Sequence, residues 1–111
     1  MATRGNVGYA DEEGKIHFIY NHFDSTPNTL GAELLENYNS YEKVVELING
    51  GDMSYPGDHY ADGDACYEDV APRTTEDALD VLEEEYAYIY MNDGWFWMKT
   101  GMEYYLPLVR E

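Results

Sequence analysis

The sequence has little of what disulfides, membrane spans and secretion signals are built from. Its 111 residues contain one cysteine, Cys66, so no disulfide can close within the chain. No CxxC pair accompanies this thiol, which we interpret as an inert loop residue. No apolar run approaches the ~18 residues of a membrane span, and no basic-then-apolar leader is present. These absences predict a soluble, cytoplasmic protein that does not bind membranes.

Positive charge is also scarce, since six lysines and arginines face 23 aspartates and glutamates, for a net charge of −17. A domain this acidic repels nucleic acid and anionic membranes and is steered toward positive surfaces. Solubility alone is the simpler explanation of the charge, but a small domain needs a net charge of only about 2–8 for it. The surplus therefore indicates a basic protein as partner and no direct binding of nucleic acid.

The signatures of common catalytic and metal sites are missing as well. The chain has no P-loop, GxGxxG, HExxH or nucleophile-elbow pattern. Asp58, Asp62 and Asp64 do not follow the alternating ligand spacing of a calcium-binding loop. His59 and Cys66 lack the two further ligands that zinc requires. We therefore expect no metal and no cofactor, and we lean toward a protein that is not an enzyme.

The hydrophobic content of the chain is sufficient for a single acidic globular domain spanning residues 1–111. Hydrophobic residues make up 44% of the chain, and its 12 tyrosines suit both core and surface. Alternating apolar residues predict an N-terminal hairpin of strands 6–10 and 15–23, the second of them interior to its sheet. A C-terminal hairpin is predicted from strands 86–91 and 95–99, which flank an Asn-Asp-Gly turn. A short strand at 104–106 would follow it.

Helical patterns lie between the two hairpins. Pro27 behind Thr26 begins a first helix, and Ser40 caps a second that ends at Gly50 and Gly51. A third is predicted from Thr74 or Thr75 onward, and residues 52–73 are predicted to form a long loop. The fold class expected is α+β: an antiparallel sheet from the N-terminal and C-terminal hairpins with about three helices packed on one face.

Four polar residues near the first hairpin suggest one candidate site. His22 and Asp24 lie at the exit of the second strand, two residues apart and therefore on one face, so Asp24 could orient His22 for acid–base work. Arg4 and Asn6 on the neighbouring strand could add an anion-binding group and a hydrogen-bond donor. This is the alternative hypothesis, a small enzyme or nucleotide-binding protein. The simpler interpretation is a polar cluster that joins the hairpin to the first helix.

The outward side of the predicted third helix is nearly all acidic. Carboxylates along a rigid helix imitate the charge array of a phosphate backbone, and would compete for a cleft rich in Lys and Arg. A plain solvated helix face is the simpler alternative. The partner-binding surface expected from this helix and the acidic loop comprises Glu76, Asp77, Asp80, Glu83, Glu84, Asp62 and Asp64.

The C-terminal hairpin is unusually aromatic, with three tyrosines in its first strand and two tryptophans in its second. One side of it is expected to form core. If the other side is exposed, it is an apolar patch through which a homodimer could form.

The N-terminal half of the chain resembles a group of small bacteriophage and prophage proteins. The likeness lies in the patterns Arg4-x-Asn6-x-Gly8 and Ile19-Tyr20-x-His22-x-Asp24-x-x-Pro27, with looser similarity at the final hairpin. The chain departs from the group at Gly5, Phe23, Ser25 and Thr26. The resemblance implies a phage setting, and therefore the cytoplasm of an infected bacterial host, but no reaction. Combined with the charge, it favours an accessory protein for host takeover or anti-defence, which inhibits a basic, nucleic-acid-handling host protein by DNA mimicry.

Overall fold

The computed structural model describes residues 3–60 and 70–109. Within these ranges the chain forms one eight-stranded sheet and two α-helices. The strands are β1 (Gly5–Ala10), β2 (Ile16–Asn21), β3 (Met53–Tyr55), β4 (Asp58–His59), β5 (Arg73–Thr75), β6 (Tyr86–Met91), β7 (Gly94–Lys99) and β8 (Leu106–Pro107). The helical segments are a π-helical turn (Pro27–Gly31) that continues into α1 (Ala32–Asn37), then α2 (Tyr41–Asn49), and a 3₁₀ turn (Ala78–Val81).

Both predicted hairpins are confirmed. The first closes where the Asp11 amide donates to the Lys15 carbonyl oxygen at 2.8 Å. The second turns at Asn92 and Asp93, whose φ angles of 53° and 62° are those that a type I′ turn requires. Strand β2 is interior, as expected, because β1 pairs along one edge while β3 and β5 pair along the other.

The first two helices are also confirmed, with one local difference. Ser40 caps α2 by accepting a hydrogen bond from the Lys43 amide, and the chain leaves α2 through Gly51 at a φ of 85°. Pro27 begins the first helical segment as predicted. The Thr26 side chain does not cap this segment, because its hydroxyl lies 2.8 Å from the Thr29 hydroxyl instead.

The predicted α+β arrangement, with an antiparallel sheet and three helices, is wrong. The sheet is mixed, because β1 pairs with β6 in parallel and β2 pairs with β3 in parallel. In the described ranges the third helix is replaced by strand β5 and the short 3₁₀ turn. β-branched Thr74 and Thr75 favour a strand, and Asp80 and Glu84 would repel each other four residues apart on a helix.

The predicted loop 52–73 is likewise corrected where the structure describes it. Strands β3 and β4 form a short hairpin at one edge of the sheet, and β5 pairs antiparallel with β2. The remainder of this stretch, residues 61–69, lies outside the described residues.

Two crossover connections cover opposite faces of the sheet. Helices α1 and α2 link the parallel strands β2 and β3 across one face, which we call the helix face, and bury Leu34, Ile48 and Tyr88. Residues 76–85, which we call the strap, link β5 to β6 across the other, the strap face. There Val81 packs among β-strand residues that include Ile89.

The helices that are described are too short and too polar to cross a bilayer. In residues 3–60 and 70–109, no helix has the length and apolar character of a membrane span.

Candidate functional site

The strap is attached to the sheet by a buried asparagine. Asn6 is only 1% exposed, and its side-chain amide nitrogen donates to the Val81 carbonyl oxygen at 2.9 Å and to a Glu83 carboxylate oxygen at 3.1 Å. Both acceptors lie on the strap, more than 70 residues further along the chain. A β1 side chain therefore attaches the strap to the sheet at Val81 and Glu83.

A guanidinium group holds the same end of the strap. Arg73 on β5 forms an ion pair with Glu83 at 3.1 Å, and its guanidinium carbon lies 4.8 Å from the centre of the Phe18 ring. Both side chains of the ion pair are about half exposed, so solvent screens the attraction. Arg73 therefore positions Glu83 more than it stabilises the fold.

The centre of the strap is held by three further hydrogen bonds. The Thr75 hydroxyl donates to Asp80 at 2.7 Å, and Asp77 caps the 3₁₀ turn by accepting from the Leu79 amide at 3.0 Å. From the other side, the Tyr105 hydroxyl donates to the Ala78 carbonyl oxygen at 2.7 Å. Burial raises the pKa of Tyr105 above its usual value, and the nearby Asp77 carboxylate adds to the shift. The Tyr105 hydroxyl therefore stays protonated and donates at neutral pH.

A cleft of about 300 Å³ opens where the strap leaves the sheet. The described residues of its lining supply one amide, one phenol, one guanidinium and three carboxylates, from Asn6, Tyr20, Arg73, Asp52, Glu83 and Glu84. The side-chain oxygen of Asn6 is buried and has no hydrogen-bond partner among the residues that the structure describes. This strap cleft is the candidate functional site.

Of the four residues in the predicted polar site, the structure brings one to the cleft and a second close to it. Asn6 lines the cleft, and His22 Nδ1 lies 2.7 Å from the hydroxyl of Tyr20, another lining residue. Arg4 is exposed, and its carbonyl oxygen accepts from the Tyr86 amide. No hydrogen bond or ion pair joins the side chains of the four within the described ranges.

Asp24 plays a backbone role instead of orienting His22. Its φ of 55° places it in the left-handed region, and its carbonyl oxygen accepts hydrogen bonds from the Leu30 amide and the Thr29 hydroxyl. Asp24 thus closes the turn that precedes the first helical segment, which agrees with the simpler interpretation of this residue as part of the hairpin–helix junction.

The predicted acidic surface is present as a strap, not as a helix face. Glu76, Asp77, Asp80 and Glu83 are exposed, and Glu84 is partly buried. Asp62 and Asp64 lie outside the described residues. Extended and 3₁₀ backbone spaces these carboxylates differently from the i, i+3, i+4 pattern of a helix, so the regular array expected of helical mimicry is not formed.

Three cleft residues were missed by sequence reasoning. Tyr20 follows Phe18 at a two-residue interval on β2, and this alternation could have placed it on the same face. Arg73 is the only lysine or arginine between Lys43 and Lys99, a signal that could have marked it as the partner of the acidic run. Asp52 had no sequence signal, because it reaches the cleft only through the crossover from α2.

A second polar pair lies at the opposite end of the first hairpin. His17 Nε2 is 2.8 Å from Asp11, and this hydrogen bond lowers the pKa of the Asp11 carboxyl. The Tyr9 ring stacks on His17 with the ring centres 4.9 Å apart. No group of three potential metal ligands occurs here or elsewhere in the described residues.

The aromatic hairpin is covered on both faces. Tyr88, Tyr90 and Trp95 are buried on the helix face, while Ala87 and Ile89 are buried on the strap face. A homodimer through this hairpin stays a prediction, and the coverage leaves little of the apolar surface on which it was based.

Comparison with known proteins adds no identification. The chain matches no protein family model, no curated protein and no solved structure.

Proposed function

We propose that this protein acts by binding, and that the acidic strap docks on the nucleic-acid-binding surface of a basic host protein and blocks it. The phage setting rests on the resemblance of the N-terminal half alone. The single observation that supports the proposal most is the concentration of charge, because six of the ten strap residues are acidic.

The way the strap is held strengthens this proposal. Asn6 and Tyr105 donate to the strap backbone and Thr75 donates to the Asp80 carboxylate, so little conformational freedom of the strap remains to be lost when a partner binds. Arg73 compensates only one of the carboxylates. Within residues 3–60 and 70–109 no ion pair neutralises the other strap carboxylates, most of which are exposed to a partner as a negative surface.

An apolar side chain lies within the same surface. Leu79 on the 3₁₀ turn is 52% exposed, although its neighbour Val81 is fully buried. Protein interfaces commonly combine a dehydrated apolar anchor with a charged rim, and the rim governs association rate and salt dependence. Leu79 supplies such an anchor at the centre of the strap.

The test compares two variants with equal net charge. In the strap variant, Glu76→Gln, Asp80→Asn and Glu85→Gln remove three charges while keeping hydrogen-bond acceptors. In the control variant, Glu12→Gln, Glu13→Gln and Glu42→Gln remove three charges from the first hairpin turn and α2. Proteins captured from bacterial lysate by the wild-type chain are identified, purified and bound to fluorescent DNA, and each chain is titrated in as competitor.

We expect the wild-type chain to displace the DNA, and the strap variant to need a concentration about tenfold higher or more. The control variant should stay close to wild type. Displacement should also weaken steeply between low and high salt. Equal weakening by both variants, or displacement that is insensitive to salt, would count against the strap as the binding surface.

The alternative, a small enzyme or nucleotide-binding protein, receives less support. It requires Arg4, Asn6, His22 and Asp24 to converge on one pocket, and the structure places Arg4 and Asp24 in backbone roles away from the cleft.

A further inference from the structure

The strap cleft contains a buried hydrogen-bond acceptor that no described residue satisfies. The Asn6 side-chain oxygen has no partner among the described residues, although the amide nitrogen of the same side chain makes two hydrogen bonds. Buried acceptors are nearly always paired, so this oxygen is open to a donor from beyond the described residues. Because Asn6 lines the cleft, the cleft is the route by which such a donor arrives.

The negative charge of the cleft lining favours a positively charged donor. Asp52, Glu83 and Glu84 contribute three carboxylates, and Arg73 contributes the one positive group among the described residues of the lining. The net charge of the lining disfavours phosphate or carboxylate ligands. Metal coordination also fits poorly, because no described group of three His, Cys, Asp or Glu residues is placed to hold an ion.

The cleft already accommodates one guanidinium group. Arg73 donates to Glu83 at 3.1 Å, and its guanidinium carbon lies 4.8 Å from the Phe18 ring centre. Glu84, which is partly buried beside it, makes no such ion pair in the described residues. A second cation can therefore pair with Glu84 without displacing Arg73.

We propose that the strap cleft binds an arginine side chain of the partner protein; this inference rests on the proposed function and assigns its anchoring contact. A guanidinium carries five donors in a planar fork, so one group can donate to an amide oxygen and a carboxylate together. An ammonium is a compact, strongly hydrated charge that gives up its water less readily. A volume of about 300 Å³ is ample for one such side chain.

The probe is N-acetyl-arginine methylamide, titrated into the isotope-labelled full chain and followed by two-dimensional NMR. N-acetyl-lysine methylamide is the comparison ligand. We expect saturable shifts of the Asn6 side-chain amide signals and of the strap amides with the arginine probe, and weaker binding of the lysine probe. Glu84→Gln should weaken arginine binding by about fivefold or more.

Glu42→Gln is the matched control, because it makes the same charge change on exposed α2. It should leave the affinity for the arginine probe unchanged. Shifts that do not saturate, shifts confined to residues outside the cleft, or equal weakening by Glu84→Gln and Glu42→Gln would each overturn the arginine site. An acceptor satisfied by water alone would give the first of these results.

The failures of this inference and of the proposed function are separable. If the strap variant loses the DNA competitor activity but the arginine probe does not saturate, the arginine site is overturned and the docking surface remains. If the probe binds at Asn6 and Glu84 while the strap variant competes as well as wild type, the arginine site is supported and the proposed function fails.

Discussion

The two faces of the sheet are covered by opposite means. On the helix face, α1 and α2 bury large apolar side chains, among them Leu30, Leu34 and Ile48, each 0% exposed. On the strap face a ten-residue acidic segment buries essentially one of its own side chains, Val81, and is otherwise held by hydrogen bonds. The helix face is thus stabilised mainly by apolar burial, whereas the strap face combines a smaller apolar cluster with placed polar contacts.

Each face has a buried asparagine, and the two asparagines differ in the hydrogen bonds that their side chains make. Asn21 donates to the Phe23 carbonyl oxygen and the Ser25 hydroxyl, both at 2.8 Å, and so closes a turn within a few residues of itself. Asn6 instead donates to a strap that is distant in sequence. Both side-chain oxygens lack a partner among the described residues, but only Asn6 lines the strap cleft. The larger apolar core and the proposed binding surface therefore lie on opposite sides of one sheet.

The largest difference between the faces should appear when each loses a buried side chain. Leu34→Ala truncates the fully buried leucine of α1 and should lower the free energy of unfolding by about 2–5 kcal/mol. Val81→Ala removes a smaller group and should cost about 1.5–2.5 kcal/mol. Urea denaturation measures both. A larger loss for Val81→Ala than for Leu34→Ala would show that the strap contributes as much as the helices and would break the comparison.

Asn6→Ala should release the strap without disturbing the helix face. The buried Val81 carbonyl oxygen would lose its side-chain donor, at a cost of about 1–3 kcal/mol. Native-state hydrogen exchange should show faster exchange at strap amides, such as Leu82, and unchanged exchange in α2. Asn21→Ala is the control, since it removes a comparable buried amide on the helix face. If both variants accelerated exchange in the strap equally, Asn6 would not be its specific attachment.

The smallest effect is expected from Tyr105→Phe, which removes one bond to the strap. At neutral pH, Tyr105→Phe should lower the free energy of unfolding by about 0.5–1.5 kcal/mol. Burial raises the pKa values of the Tyr105 and Tyr88 hydroxyls above the value of about 10 that tyrosine has in the unfolded chain. The two hydroxyls therefore contribute stability that is fully present below a pH of about 10. That stability is lost as pH rises above this value, because the unfolded chain ionises first.

The wild-type protein should therefore unfold progressively in alkaline solution, as followed by circular dichroism, and Tyr105→Phe should show a shallower alkaline loss. A pH dependence identical to wild type in this variant would mean that the Tyr105 hydroxyl is not buried against Ala78. Tyr88→Phe gives the matching measurement on the helix face, where the Tyr88 hydroxyl donates to the Ser25 carbonyl oxygen at 2.6 Å.

The parts of the fold that local chemistry specifies were predicted well. The Asn92-Asp93-Gly94 turn, the Ser40 cap and the glycine that ends α2 each depend on residues a few positions apart. The predicted third helix does not form, because neighbouring carboxylates along it would repel each other. Leu79 on the 3₁₀ turn is exposed, whereas Val81 is buried.

The candidate site was predicted only in part. Asn6 was singled out, but with His22, Asp24 and Arg4 as its companions, since all four lie in one short stretch of sequence. Its actual neighbours in the cleft include Arg73 and Glu83. No spacing rule links positions so far apart, and which of them meet depends on the strand order.

By itself the sequence determined the strong negative charge, the two hairpins, the first two helical segments and the apolar alternation that gives the sheet two buried faces. These follow from composition and from interactions between near neighbours in the chain. Only the tertiary structure decided that β6 lies parallel beside β1, that the acidic run crosses the sheet as a strap, and that Asn6 holds it there. Such pairings bring distant segments together by burial and by satisfying polar groups across the whole fold, which no local pattern encodes.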